Sequence, residues 1–394
     1  MLRAVIRAFA SLRLTVALLA LAMLLIFVGT LAQVRVGVWE AVNTHFRSPI
    51  AWVDPGLFFP RSEVASRFRV PLPGGALVGL LLLLNLLAAH AARFRLTARR
   101  LPIIVIHAGL VVLLVSEFMT ARLADEGMMS IDEGGTSSYV EDVRSSELAF
   151  IDASDPSFDR VITIPEQMLL RAASTQRPII GPRLPVEVHV LEWIPSAHLK
   201  RSIGGGPADR GVGLEAQAES VAVARGVDGA QPDAPAAYVR LVRDGRAIGT
   251  WLVWANLVLP QEVQVGGESL GLSLRYRRTH KPYTLTLIDF RHDTFVGTEI
   301  ARNFSSQVRL VDAERGVDRE VTIWMNNPLR YRGDTLYQAS YKPDGSGTVL
   351  QVVRNPGAAL PYVACVLVGL GLAWHFAARL SGFLRRVSPN ERRS

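Results

Sequence analysis

The sequence has one cysteine, Cys365, and only three lysines, Lys200, Lys281 and Lys342. A single cysteine excludes a disulfide framework within the chain and any Cys-x-x-Cys redox or zinc site. It also excludes unaided disulfide exchange, which needs a thiol pair. Charged residues make up only 20% of the chain against 49% apolar, and mean hydropathy is +0.24. That balance excludes a wholly soluble, disordered or collagenous protein. No phosphate-cradling Gly-rich loop, His-Glu-x-x-His metal box or Cys-x-x-Cys-His haem attachment site is present. The chain therefore lacks a self-contained catalytic site of a common type.

What is abundant is arginine, forty residues of it, and long apolar runs. The net charge of +8 resembles a nucleic-acid signal until it is located. Arg3, Arg7 and Arg13 precede the first apolar run; Arg93, Arg95, Arg99 and Arg100 separate the second from the third; Arg379, Arg385, Arg386, Arg392 and Arg393 follow the last. Glu391 is the one acid among them, and the rest of the chain is slightly acidic. Excess positive charge confined to the flanks of apolar segments is a topology signal, and nucleic acid is not expected as a partner.

The expected fold class is a multi-pass α-helical membrane protein with four transmembrane helices and a large β-rich extracytoplasmic domain between helices three and four. A hydrocarbon core of ~30 Å needs about 20 helical residues. The spans are placed at 14–33, 76–92, 102–119 and 358–378, with Pro102 suited to a first helical turn. The arginine clusters put 1–13, 93–101 and 379–394 on the cytoplasmic side. Outside lie the 34–75 loop, whose Trp39, Trp52, Phe58 and Phe59 suit an interfacial anchor, and the 120–357 domain. In that domain Val186, Val188 and Val190 alternate, as do Leu285 and Leu287 with threonines, and Gln307–Val311, Val321–Met325 and Val349–Val353 read as further strands. An antiparallel sandwich or barrel-like sheet is expected. Residues 204–237, rich in Gly, Ala and Pro, read as an irregular excursion.

Histidine is the chemistry left within the membrane. An ionisable side chain in a span is costly and marks a functional candidate. His107 lies about six residues into the third span, ~9 Å from its cytoplasmic end. A neutral imidazole offers one lone pair to a metal, and haem iron commonly takes this ligand. Ala108 and Gly109 would admit a flat macrocycle or a second helix. The bland alternative is interhelical glue. His90 and His375, near the cytoplasmic ends of their helices, read as weaker, snorkelling groups. Asn85 and Glu117 are polar residues in or near spans, suited to pairing with a partner helix or to hydration. His45, His189, His198, His280 and His292 read as loop or solvated-face residues.

Four stretches together resemble the ResB family, also called CcsB, of the system II pathway of cytochrome c biogenesis. These are Ser11-Leu12-Arg13-Leu14 through Gly29-Thr30-Leu31-Ala32-Gln33; Ile106-His107-Ala108-Gly109-Leu110 followed by Glu133-Gly134; Leu287-Ile288-Asp289-Phe290 with Asn303-Phe304-Ser305-Ser306-Gln307-Val308; and Met325-Asn326-Asn327-Pro328-Leu329-Arg330-Tyr331-Arg332-Gly333 with Leu336-Tyr337-Gln338-Ala339-Ser340-Tyr341. Val353-Arg354-Asn355-Pro356-Gly357 closes the pattern. The resemblance implies a subunit of a cytochrome c synthetase in the bacterial inner membrane, its main domain periplasmic. It would work with a ResC-like (CcsA-like) membrane protein to export haem and present it to apocytochrome c. It implies haem b, held transiently and shared with that partner, and His107 as a candidate axial ligand to the haem iron. Any thiol step would fall to thiol-reducing proteins of the pathway. The rival expectation is a membrane-anchored sensory or structural protein whose β domain binds an envelope ligand.

The topology is directly testable. Reporter fusions after Leu123, Asp228 or Asp344 are expected to report an external location, and fusions after Thr97 or Arg386 an internal one. An internal signal after Asp228 would reject the four-span map.

Overall fold

The computed structural model describes residues 2–58, 68–93, 97, 100–202, 206–221, 233–294, 301–342 and 345–387. Phe59, Arg95, Arg99, Arg392 and Arg393 lie outside the described residues, as does the 222–232 stretch of the expected excursion. The chain divides into two units, one formed by residues 1–125 with 354–394 and the other by 126–353.

The first unit is helical. Four of its helical segments are long and apolar enough to cross a membrane: Leu12–Phe46, Gly75–Ala92, Leu101–Leu123 and Leu360–Leu384. Helix α1 (Leu2–Phe9) breaks before α2 (Leu12–Ala41), and α2 continues well past the Gln33 end suggested by its apolar run. It turns at Gly37, whose φ of 78° lies in the left-handed region open to glycine, and ends in a π-turn at Val42–Phe46. The first part of the stretch expected as loop, 34–46, is thus helix, followed by a short two-stranded sheet of β1 (Ile50–Val53) and β2 (Val70–Pro73). Helices α3 (Gly75–Arg93) and α4 (Leu101–Leu123) follow.

Asn85 of α3 holds the α1–α2 break together. Its side chain, 3% exposed, donates to the Phe9 and Ser11 carbonyls and accepts from the Thr15 hydroxyl at 2.7 Å. The Ser11 carbonyl already accepts the first bond of α2, from Thr15 N at 3.2 Å, whereas the Phe9 carbonyl lies at the end of α1, and in apolar surroundings it needs such a donor. The expected partner-helix role of Asn85 is thus filled within the chain. Glu117 is 69% exposed at its side chain, with Arg47 Nε 4.0 Å away.

The second unit is antiparallel β with one helix. Strands β3 (Asp125–Asp132), β4 (Thr136–Asp152) and β5 (Arg160–Pro165) precede α5 (Glu166–Thr175). Then come β6 (Glu187–Ile194), β7 (Ala197–Arg201), β8 (Ala216–Ser220), β9 (Ala236–Arg243), β10 (Arg246–Trp254) and β11 (Gln261–Val265). The series ends with β12 (Glu268–Thr294), β13 (Ala301–Asp312), β14 (Val317–Trp324), β15 (Leu329–Tyr331), β16 (Asp334–Tyr341) and β17 (Gly347–Arg354). A ten-stranded sheet runs β14-β13-β12-β4-β3-β17-β16-β15, with β5 on β4 and β11 on β12. Its two end strands are joined by the 325–328 turn, where Asn327 N donates to the Trp324 carbonyl at 2.9 Å. A smaller sheet, β10-β9-β6, buries Val188 and Val190 as their alternation demands. The β7–β8 hairpin occupies part of the stretch expected to be irregular.

Two adjoining cores share the long strands. One packs α5 and the small sheet on Leu148, Phe150, Leu272 and Leu274; the other gathers Leu285, Leu287, Val308, Leu310, Ile323, Leu336 and Leu350. Alternating apolar residues on β12 and β13 face this second core, the ordinary cause of a one-sided sheet.

Asn85→Leu is expected to destabilise the helical unit by roughly 1–2 kcal/mol, because the Phe9 carbonyl loses its Asn85 donor and the Ser11 carbonyl and Thr15 hydroxyl each lose a partner. A lowered melting temperature of the purified protein in detergent would register it.

Candidate functional site

The membrane candidates converge on one pair. Helices α3 and α4 are consecutive in the chain and pack so that His90 of the first meets His107 of the second. His107 Nδ1 lies 3.1 Å from His90 Nε2, with ring centroids 4.8 Å apart and planes at 88°. His90 Nδ1 lies 2.8 Å from the Leu86 carbonyl one turn back. Both rings are half-buried. The sequence reading set His90 apart as an interfacial group; no local pattern shows which residue of α3 faces His107. His375 does not join them and meets the Phe376 ring edge-on at 5.9 Å.

Gly109, one of the two small residues beside His107, serves a helix and not a macrocycle. Helix α6 (Leu360–Val387) lies so close that a Cβ at Gly109 would fall 2.9 Å from the Ala364 carbonyl oxygen and 2.7 Å from Val368. Gly371 meets α4 in the same way, with Ile106 and Pro102 3.0 Å or less from a Cβ there. Residues 107 and 109 project about 200° apart on a helix, so packing on α6 leaves His107 turned towards α3. Cys365, next to Ala364, is exposed.

Elsewhere the histidines separate. His45 is buried, not in a solvated loop: it sits in the π-turn, 5% exposed, with Nδ1 2.9 Å from Thr44 Oγ1. Its Nε2 has no hydrogen-bond partner among the described residues. His292 clusters with Phe304 (4.9 Å, 6°) and Tyr341 (4.6 Å, 29°), which are 5.4 Å from each other. His189 pairs with Glu187 at 3.8 Å, and His280 meets Tyr139 edge-on. His198 is exposed. No group of three or more His, Cys, Asp or Glu side chains suited to a metal occurs among the described residues.

The long motif of 325–341 is mostly a packing device. Leu329 and Leu336 enter the second core. Arg332 and Gly333, with φ of 47° and 85°, form the left-handed turn between β15 and β16. Asp312, 1% exposed, accepts from the Tyr331 hydroxyl at 2.6 Å and the Arg315 backbone N–H at 3.1 Å, and Arg332 Nε lies 2.7 Å away. Asp334, also buried, holds Lys281 Nζ at 3.1 Å and the Tyr283 hydroxyl at 2.9 Å. Gln338 accepts from Ser306 and donates to Thr348. Only Trp324, Met325 and Tyr337 leave large apolar area exposed near the turn.

Two further features have the outline of a site without its chemistry. A cleft of about 340 Å³ beside Tyr276 contains Glu141, Arg275 and Arg278, but these charges are already matched: Arg278 with Glu141 at 2.9 Å and Arg275 with Glu147 at 3.0 Å. Burial, with Glu141 and Asp233 nearby, pushes the Tyr276 hydroxyl up to about 12, so it keeps its proton. Gly267-Glu268-Ser269-Leu270-Gly271 has the spacing of a hydrolase nucleophile elbow. That elbow needs a strand-to-helix turn, whereas here the segment enters β12 from a hairpin and Ser269 Oγ donates to Glu262 at 2.6 Å.

Burial alone would raise the Asp312 carboxyl, but the Tyr331 hydroxyl, the Arg315 N–H and the Arg332 guanidinium outweigh it and hold it below the ordinary range. The folded state therefore favours the carboxylate. Its contribution is present above the unfolded value near pH ~4 and is lost as pH falls through the lower folded value. Asp312→Asn is expected to lower the melting temperature at neutral pH and to flatten its decline in acid. Melting curves from pH 7 downwards measure both.

Residues 255–349 match the model of the ResB-like family. Protein NrfI of Wolinella succinogenes is 36% identical over 102 residues, a match that covers 26% of this chain and 11% of that protein. This chain thus spans about a tenth of the length of that relative. The matched segment starts just before β11 and ends within β17, and it contains the packing motif and the aromatic stack around His292. The resemblance read from the sequence is borne out over the matched residues, and the chain is ResB-like from residue 255 to residue 349.

Proposed function

We propose that the chain is the haem-handling membrane subunit of a cytochrome c synthetase. Its place would be the bacterial inner membrane, with the β unit on the periplasmic side. A ResC-like membrane protein is its expected partner, and together they would carry haem outward and present it for covalent attachment to apocytochrome c. Haem b is cargo in this reading, held by His107 and by a ligand from the partner. The ResB-like segment supports the pathway. The observation that supports the site is the imidazole pair on the α3–α4 face, half-buried among apolar helices. Imidazole is the common protein ligand of haem iron, and a polar ring in an apolar helix marks a functional candidate.

The same bond favours a second reading, since a His90–His107 contact also ties α3 to α4 as interhelical glue. The two differ in rescue. In the complex with the ResC-like partner, His107→Ala is expected to lower co-purified haem and mature cytochrome c several-fold. External imidazole is expected to restore part of both, since it can enter a vacated ligand position. It cannot restore a contact between helices. A stable, assembled His107→Ala complex with unchanged haem content and visible spectrum would remove His107 from the site.

A further inference from the structure

We propose that His90 is a positioning residue that sets the tautomer of His107 and places its lone pair on Nε2. The argument starts at a backbone carbonyl. The Leu86 oxygen can only accept, so His90 Nδ1, 2.8 Å away, carries a proton. A neutral imidazole has one N–H, so His90 Nε2 is then an acceptor. His107 Nδ1 lies 3.1 Å from that acceptor and must be the donor. The second proton is thereby assigned, and the lone pair of His107 falls on Nε2.

The opposite arrangement needs a cationic His90 donating from both nitrogens. A charge on an apolar helix face is several times costlier than a neutral ring, and this disfavours it. An isolated neutral histidine in water exchanges between both tautomers and favours the other one, with the proton on Nε2. The difference is imposed by two hydrogen bonds, one within α3 and one from α4 to α3.

A metal-binding histidine is commonly oriented this way, its second N–H given to an acceptor that fixes the ring and raises its basicity. Here the acceptor is another imidazole, itself oriented by a helix carbonyl. The device keeps the ring plane of His107 at 88° to that of His90, so the donor and the ligand nitrogen are set by one geometry. The use of that lone pair for haem iron rests on the function proposed above; the tautomer does not.

The test has two arms, both on the full chain. In the first, ring-¹⁵N-histidine spectra are recorded in bilayers without haem, and His107→Gln identifies the His107 resonances. The expected result is a protonated Nδ1 and an unprotonated Nε2 at His107 in the wild-type chain. His90→Leu is expected to shift His107 towards the Nε2–H form, and His90→Gln, whose amide oxygen can accept, to restore much of the original state. A protonated Nε2 in the wild-type chain, or an unchanged tautomer in His90→Leu, overturns the proposal.

In the second arm the chain is purified with its ResC-like partner, and the reduction potential of bound haem is measured. Loss of the acceptor makes the ligand less basic and favours the reduced iron, so His90→Leu is expected to raise the potential and His90→Gln to return it towards the wild-type value. Haem bound with an unchanged potential in His90→Leu overturns the link from His90 to the ligand. Absence of haem from every complex, wild type included, defeats the haem reading alone, and the first arm still decides the tautomer.

Discussion

The close approach of α4 to α6 is the constraint on which the helical unit depends. Gly109 and Gly371 leave no room for side chains at the contact, and backbone carbonyls sit where a Cβ would be. Without a hydrophobic driving force between helices in lipid, such small-residue contacts supply the van der Waals energy that pairs them. The β unit is inserted between these two helices in sequence, so the chain leaves at the end of α4 and must return at the start of α6. Asn355 marks that return: its amide donates to Thr120 Oγ1 at 3.1 Å and its oxygen accepts from Gly357 N at 2.9 Å. The closing Asn-Pro-Gly motif is a clasp at the point of re-entry.

From that contact the site follows by helical geometry. One face of α4 is consumed by α6, and His107 lies on the other, where α3 brings His90. Asn85, further along α3, performs a different task, supplying hydrogen bonds to a broken helix. One helix thus carries two polar side chains with separate functions, and both are satisfied within the chain. This is the ordinary requirement for polar groups in a segment that meets hydrocarbon.

The β unit shows the converse case. Its most distinctive sequence, from Met325 to Tyr341, is spent largely on its own fold. Tyr331, Arg332, Asp334 and Gln338 each satisfy a buried partner, and donors around the Asp312 carboxyl favour its ionised form in the interior. A motif rich in Arg, Tyr and Asp invites a binding role, yet most of these groups are already engaged. The exposed remainder, Trp324, Met325 and Tyr337, is small.

Much of this was legible in the residues. Apolar runs of helical length, arginines at their flanks and alternating valines and leucines disclosed four helices and a β-rich unit, because burial and periodicity are local properties. His107 was legible as a candidate for the same reason: a polar side chain in an apolar run is visible one residue at a time. Its partner was not, since the pairing of His90 with His107 depends on how two helices pack and on which face of α4 is left after α6 has packed. Nor did sequence show that Gly109 admits a helix, that Asn85 caps a break, that α2 continues past Gln33, or that His45 is buried. Each of these is a relation between segments far apart in the chain. Local chemistry determined which side chains needed partners; only the tertiary structure decided which partners they obtained, because distance in space is set by packing and not by distance along the chain.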